Sequence, residues 1–295
     1  MRFGLFDSVV LLLATGAGFI TIYPMWYVII MSISDPVASS GGAVTFWPIG
    51  FYTGSYTVIL REIGFWVAAR NSVLYVLIGL ALMLTTTILV AFPLTRPNLK
   101  GRKYCVIFLL IPMYFSGGMI PSFIMITKLG LYNTPWATIL PASYGIWNII
   151  LCRTFLSSIP IELSEAAYID GASNMQALIR IYLPLAMPVL AVISIYTIVG
   201  IWNSWFGAKI YQPNADIQPV QLYLQKVLID QSLDVTKMIQ QNMTIEMMET
   251  LNAKALSARQ LKYSMIVVVT LPIIMVYPMF QKHFVKGVML GSLKG

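Results

Sequence analysis

Apolar residues in this chain fall in long blocks, not in the alternating pattern of a half-buried strand or the narrow stripe of a surface helix. A membrane-crossing helix takes about 20 mainly apolar residues. Six blocks meet that test: residues 9–33, 71–94, 104–126, 136–152, 183–206 and 263–280. The fourth is short and the fifth contains Pro184 and Pro188. The pattern predicts an all-α integral membrane protein with six transmembrane helices. The first block exceeds the roughly 7–15 apolar residues of a cleavable signal peptide, so it is expected to stay as the first span.

Two of the connections are not simple turns. Residues 34–70 include Gly41-Gly42 and Pro48, then a mixed stretch over 52–67. Residues 207–262 contain two helix-like parts. In 218–230 the apolar Val220, Leu224, Val227 and Leu228 recur near helical spacing, and 244–261 is rich in the helix formers Met, Glu, Ala and Leu. A structured segment of that size fits a docking surface for another protein, a lid on the chain's own outer face, or both. Gly117-Gly118 with Pro121 permits an irregular bend facing a cavity, or close packing of neighbouring helices.

The connection between the fourth and fifth blocks, 157–184, is the most informative. Pro160 suits the first turn of a helix, which would run to about Ile169. Gly171 follows Asp170 as a helix-ending glycine would. Ser173 and Gln176 have the spacing of a capping box, so a second helix begins there, with Met175, Leu178, Ile179 and Tyr182 on one face. The expected unit is helix, glycine turn, helix, lying at the membrane surface. Ala166 and Ala167 keep the first helix slim, which lets another protein approach closely. Glu165 and Asp170 offer it charges. A helix lying in the interface without any partner would share this periodicity.

Composition and charge narrow the function. The chain is 58% hydrophobic and 10% charged, against about a quarter charged in a soluble domain. Its net charge of +8 would point to nucleic acid on a soluble protein. Here the basic residues sit beside the apolar blocks, where they act as an orientation signal. Arg96, Lys100, Arg102 and Lys103 follow the second block, and Lys282, Lys286 and Lys294 follow the sixth. The short connections on the other side hold only Arg61, Arg70 and Lys128. Both termini are therefore expected in the cytoplasm. The blocks contain almost no ionisable residue, which argues against a proton relay or ion-coupled carrier. Cys105, Cys152 and His283 have no metal-binding spacing. The phosphate-cradling pattern G-x-x-x-x-G-K-[ST] is missing, so the chain has no ATP site of that kind.

The run Glu165-Ala166-Ala167-Tyr168-Ile169-Asp170-Gly171, followed by Ile181-Tyr182-Leu183-Pro184, resembles the EAA motif of bacterial ABC importer permeases and matches its fixed positions. Asn71-Ser72, Gly117 to Pro121 and Leu129-Gly130-Leu131 are similar to the carbohydrate-uptake branch, which includes the maltose-transporter permeases. Trp202 to Phe206, Gln218 to Leu222 and the C-terminal Phe284 to Gly295 are similar to its polysaccharide-fragment subgroup, which includes importers of alginate and aldouronate oligosaccharides. The resemblance covers most of the chain from Asn71 onward. The outer segment before the sixth block is longer than in the maltose-type permease, so docking details do not transfer from that system.

This resemblance implies a type I ABC importer permease fold in the bacterial cytoplasmic membrane. A first helix and exterior segment (1–70) would precede a permease core (71–285) and a cytoplasmic tail (286–295) that reaches toward the ATPase subunits or toward anionic lipid. It implies that Glu165, Ala166, Ala167, Asp170 and Gly171 form the cytoplasmic coupling helix seated on an ATPase subunit. It implies no cofactor in this chain, with ATP and Mg on two partner ATPase subunits. A second, different permease subunit and an extracellular solute-binding protein complete the expected complex. The chain itself would be a transport subunit and not an enzyme. Tyr144, Asn148 and Asn203 are candidates for the substrate path, because amides within spans need hydrogen-bond partners from other helices, water or sugar hydroxyls. The tryptophans Trp26, Trp47, Trp66, Trp136, Trp202 and Trp205 lie near the outer side, as membrane-interface anchors or sugar-stacking rings. The alternatives are import of another solute, such as amino acids or phosphonates, and a self-contained carrier or channel.

Overall fold

The computed structural model describes residues 4–238 and 260–280. The predicted helix over 244–261 therefore lies almost wholly outside the described residues. So do His283, the basic residues after the sixth span, and the C-terminal tail. Among the described residues the only strand-like pairing is one antiparallel bridge between Ser34 and Phe51. In chain order the helices are α1 (Leu5–Ile33), α2 (Pro36–Ser40), α3 (Gly54–Arg61), α4 (Ile63–Ala91), α5 (Arg102–Tyr114), α6 (Met119–Lys128), α7 (Trp136–Ala142) and α8 (Ile146–Ser157). They continue with α9 (Glu162–Ile169), α10 (Asn174–Ala177), α11 (Leu183–Leu185), α12 (Met187–Trp202), α13 (Trp205–Tyr211), α14 (Val220–Met238) and α15 (Gln260–Phe280).

Four stretches are long and apolar enough to cross a membrane: Phe6–Ile33, Ile63–Thr95, Trp136–Ser157 and Gln260–Phe280. Two bent pairs bring the number to six: α5 with α6, turned by 114°, and Asn174–Leu185 with α12, turned by 76°.

The six-span pattern stands, but three spans differ from their expected form. The second begins at Ile63, well before residue 71. The polar pair Arg70-Asn71 looked like a boundary, yet Asn71 is 6% exposed and spends its amide inside the protein. The mixed stretch over 52–67 consists of α3 and the start of α4. The third span is broken over 115–118. Gly118 has φ +83° and ψ −178°, a region open essentially to glycine alone. The groups freed by the break are met locally. Gly118 N–H donates to Ser116 Oγ, and Ser122 Oγ–H donates to the Gly118 carbonyl, as apolar surroundings require. The fifth span turns at Ala186, because Pro184 and Pro188 each occupy a first helical turn, where the missing N–H costs nothing.

The chain divides into two compact units, Met1–Trp66 with Tyr223–Pro272, and Val67–Leu222 with Ile273–Gly295. In the first, Ile30, Met31 and Val44 form a small core with Tyr27, Ala38 and Tyr263 against it. Gln260, 1% exposed, ties this unit together: it accepts from Ser55 Oγ and donates to the Ser34 and Tyr52 carbonyls. In the second, the core runs from Met83, Ala91 and Phe92 through Ile149, Cys152 and Leu156 to Leu178, Tyr182 and Ile193. That core lies directly behind the loop between α8 and α12.

Candidate functional site

The loop is assembled by backbone chemistry that its residue types dictate. Pro160 has no N–H to donate. The Pro160 and Ile161 carbonyls instead accept the first N–H groups of α9, from Leu163, Ser164 and Glu165. Glu162 and Glu165 lie in the first turn, where carboxylates complement the positive end of the helix dipole. At the other end Ala172 N–H reaches the Ala167 carbonyl at 2.9 Å, and Gly171 N–H the Tyr168 carbonyl at 3.1 Å. This is a Schellman termination, and it places Gly171 at φ +81°, a conformation that L side chains resist. Ser173 and Gln176 then form the capping box. Ser173 N–H donates to Gln176 Oε1 at 2.7 Å, and Gln176 N–H to Ser173 Oγ at 3.3 Å. Tyr168 OH donates to Asn174 Oδ1 at 2.8 Å and braces the two helices.

The five residues proposed for coupling are thus gathered on one short element. Glu165, Ala166, Asp170 and Gly171 are exposed and Ala167 is half-buried. Ile161, Leu163, Ile169 and Met175 surround them as exposed apolar side chains, with Ile169 at 86%. A groove of about 720 Å³ opens beside them, lined by Leu89, Phe92, Leu99, Ile161, Glu165 and Tyr168, among others.

The expected apolar face of the second helix needs correction. Leu178 and Tyr182 are buried, but Met175 and Ile179 are 54% and 55% exposed. Only α10 is α-helical; Leu178–Tyr182 widens into a π turn in which Leu183 N–H bonds to the Leu178 carbonyl. Pro184 follows at once and cannot supply the next N–H.

A second constellation joins two motifs far apart in sequence. Asn71 Nδ2 donates to the Asp216 carbonyl at 2.8 Å and the Gln218 carbonyl at 3.1 Å. Ser72 Oγ accepts from Val220 N–H at 2.8 Å, and Tyr75 OH donates to the Ile217 carbonyl. Gln218 Nε2 in turn donates to the Gln212 and Pro213 carbonyls. Gln212, fully buried, donates from Nε2 to the Thr134 carbonyl at 3.0 Å. The Asn71-Ser72 pair is thus the clasp for the segment that begins α14. Gln212, which sequence reading passed over, is its hub. The residue type alone carried no signal of that burial.

The three substrate-path candidates do not form a cluster. Tyr144 is 60% exposed in the three-residue gap between α7 and α8. Asn148 lies one turn further on, its Nδ2 3.5 Å from Met83 Sδ. Asn203 caps the end of α12 and accepts from Gln221 Nε2 at 3.0 Å. The hydrogen bonds of Asn148 and Asn203 thus go to different partners, Met83 and Gln221.

Residues 68–290 match the family described as binding-protein-dependent transport system inner membrane component. Protein LplC of Bacillus subtilis is 34% identical over 290 residues, covering 98% of this chain and 95% of that protein. The polygalacturonan/rhamnogalacturonan transport system permease protein YtcP of the same organism is 32% identical over 295 residues, the whole of both chains. Among solved structures, a chain of a bacterial ABC transporter involved in the import of the acidic polysaccharide alginate superposes with a TM-score of 0.83 at 30% identity, over 95% of this chain and 96% of that one. With six apolar spans, the EAA helix–turn–helix and a family match over most of its length, the chain belongs to the binding-protein-dependent transport system inner membrane components, the permeases of ABC importers.

Proposed function

We propose that this permease imports oligosaccharides across a bacterial cytoplasmic membrane, with both termini in the cytoplasm. It works with a second, different permease, two ATPase subunits that carry ATP and Mg, and an extracellular solute-binding protein. The observation that carries the coupling part is the exposed Glu165–Gly171 segment, held at a fixed angle by its Schellman turn and capping box and ringed by apolar side chains. Exposed apolar side chains grouped in this way on a short, rigid element favour a protein partner. ATP closes the ATPase dimer, the two coupling helices are drawn together, and the cavity turns outward to receive solute. Hydrolysis resets it inward. The saccharide assignment is supported by the similarity to YtcP and to the alginate transporter chain. A self-contained carrier is disfavoured by the family, whose members depend on binding proteins. Tyr144 and Asn148, beside a break in a span, are proposed to face the solute path, and Asn203 its outer end.

The test replaces Gly171 by Trp and Glu165 by Lys in the complete complex. A Cβ added at Gly171 would meet no atom within 4 Å. The substitution therefore costs a backbone strain of about 1–2 kcal/mol in the turn, and the ring of Trp adds bulk at an exposed position. Both variants should reach the membrane, hydrolyse ATP and import little. Normal import in both would end the coupling assignment. The saccharide is identified separately, by finding which oligosaccharide raises the Tm of the cognate binding protein.

A further inference from the structure

The coupling helix has one buried side chain, Ser164, at 1% exposure. Its neighbour across the groove is Arg96, just beyond the end of α4. The Arg96 guanidinium lies between two rings, its Cζ 4.3 Å from the centroid of Phe92 and 4.5 Å from that of Tyr182. The rings themselves are 5.2 Å apart at an interplanar angle of 69°, so they form a V around the cation. Both distances lie well inside the roughly 6 Å reach of a cation–π contact. Phe92 and Tyr182 are 6% and 3% exposed. From this seat Arg96 Nη1 donates to Ser164 Oγ across 3.5 Å. Ser164 has spent its own proton on the Ile161 carbonyl at 2.8 Å, so it offers the guanidinium only lone pairs. Arg96 Nε and Nη2 are buried without a hydrogen-bond partner.

A half-buried guanidinium with two buried, unpartnered nitrogens is a costly structural element. Three attachments account for its place: Phe92 at the end of the second span, Tyr182 at the foot of the fifth, and Ser164 on α9. We propose that Arg96 is the positioning residue of the coupling loop. Acting through Ser164, it sets the direction of α9 and passes a displacement of that helix to the second and fifth spans together. This rests on the reading of α9 as the coupling helix. It adds that the fork of an arginine is required. A lysine ammonium is a compact point charge that cannot stack its face on both rings and also reach Ser164.

The test uses the full complex of both permeases, the ATPase subunits and the binding protein in proteoliposomes. Arg96→Met, Arg96→Lys and Glu165→Lys are compared by solute imported per ATP hydrolysed. A second readout needs no turnover. Spin labels at Ile169→Cys and Tyr104→Cys, both highly exposed, are placed in a chain with Cys105 and Cys152 replaced by alanine. Their distance reports where α9 points. Both Arg96 variants should lower import per ATP by about fivefold, the scale of a partly exposed cation–π contact of about 1 kcal/mol at 1.4 kcal/mol per tenfold, and should broaden the distance distribution. Lysine should give no rescue. Wild-type coupling and a wild-type distance in either variant would overturn the role of Arg96, as would full rescue by lysine. Loss of coupling in Glu165→Lys with normal coupling in the Arg96 variants overturns only this proposal. Normal import in both Glu165→Lys and Gly171→Trp overturns the coupling reading as well. Should neither Arg96 variant assemble, Phe92→Leu opens one face of the clamp and leaves the cation in place, and normal coupling in that variant refutes the role.

Discussion

The break in the third span makes a sharp demand on one of two adjacent glycines. Gly118 holds φ +83° with ψ −178°, and an added Cβ would meet nothing within 4 Å. Gly118→Ala therefore creates no clash with another part of the chain, and its whole cost is conformational. For a region essentially closed to L side chains that cost is about 1–3 kcal/mol, a factor of roughly 5 to 150 against the bent state at 1.4 kcal/mol per tenfold. Gly117 carries no such constraint: its added Cβ would lie 3.7 Å from Pro121 Cβ, an ordinary contact, and its φ is not positive. Thermal unfolding of the complex in nanodiscs, followed by tryptophan fluorescence, should give a midpoint several degrees lower for Gly118→Ala. Gly117→Ala should stay near the wild type. Equal midpoints, or a greater loss at Gly117, would refute the argument that backbone conformation at Gly118 holds the 114° bend.

The same thermal assay tests the Asn71-Ser72 clasp. Asn71→Asp puts a carboxylate where an amide donates to two carbonyls; it should cost about 3 kcal/mol or more, and more than Asn71→Ala does. Orientation is tested by thiol labelling: with Cys105 and Cys152 replaced by alanine, a membrane-impermeant maleimide should modify a cysteine placed at exposed Lys100 in inside-out vesicles and not in intact cells.

Strong, repeated patterns were readable in the chain. The spans follow from hydropathy because a bilayer leaves few alternatives. Ser173, Gln176 and Gly171 announced their turn because capping and left-handed backbone are set by local chemistry. What could not be read depends on partners distant in sequence. Arg96 looked like one more orientation charge beside Lys100 and Arg102. Its seat between Phe92 and Tyr182 arises only when the second and fifth spans meet. The Asn71 amide resembled the edge of a span until its acceptors, more than 140 residues away, were in place. The π turn over Leu178–Tyr182 interrupts the 3.6-residue period there, which the apolar pattern alone does not show.

The π turn at Leu178–Tyr182 also bears on which insertions and deletions the family can tolerate. An α-helix advances about 100° per residue. Removing one residue from this turn would restore an ordinary helix while leaving Tyr182 and α12 in place. Everything upstream would then rotate by about 100°, carrying the Glu165–Gly171 surface off the side proposed here for the ATPase. Single-residue length changes here should therefore be rarer among working permeases than even drastic changes of side chain.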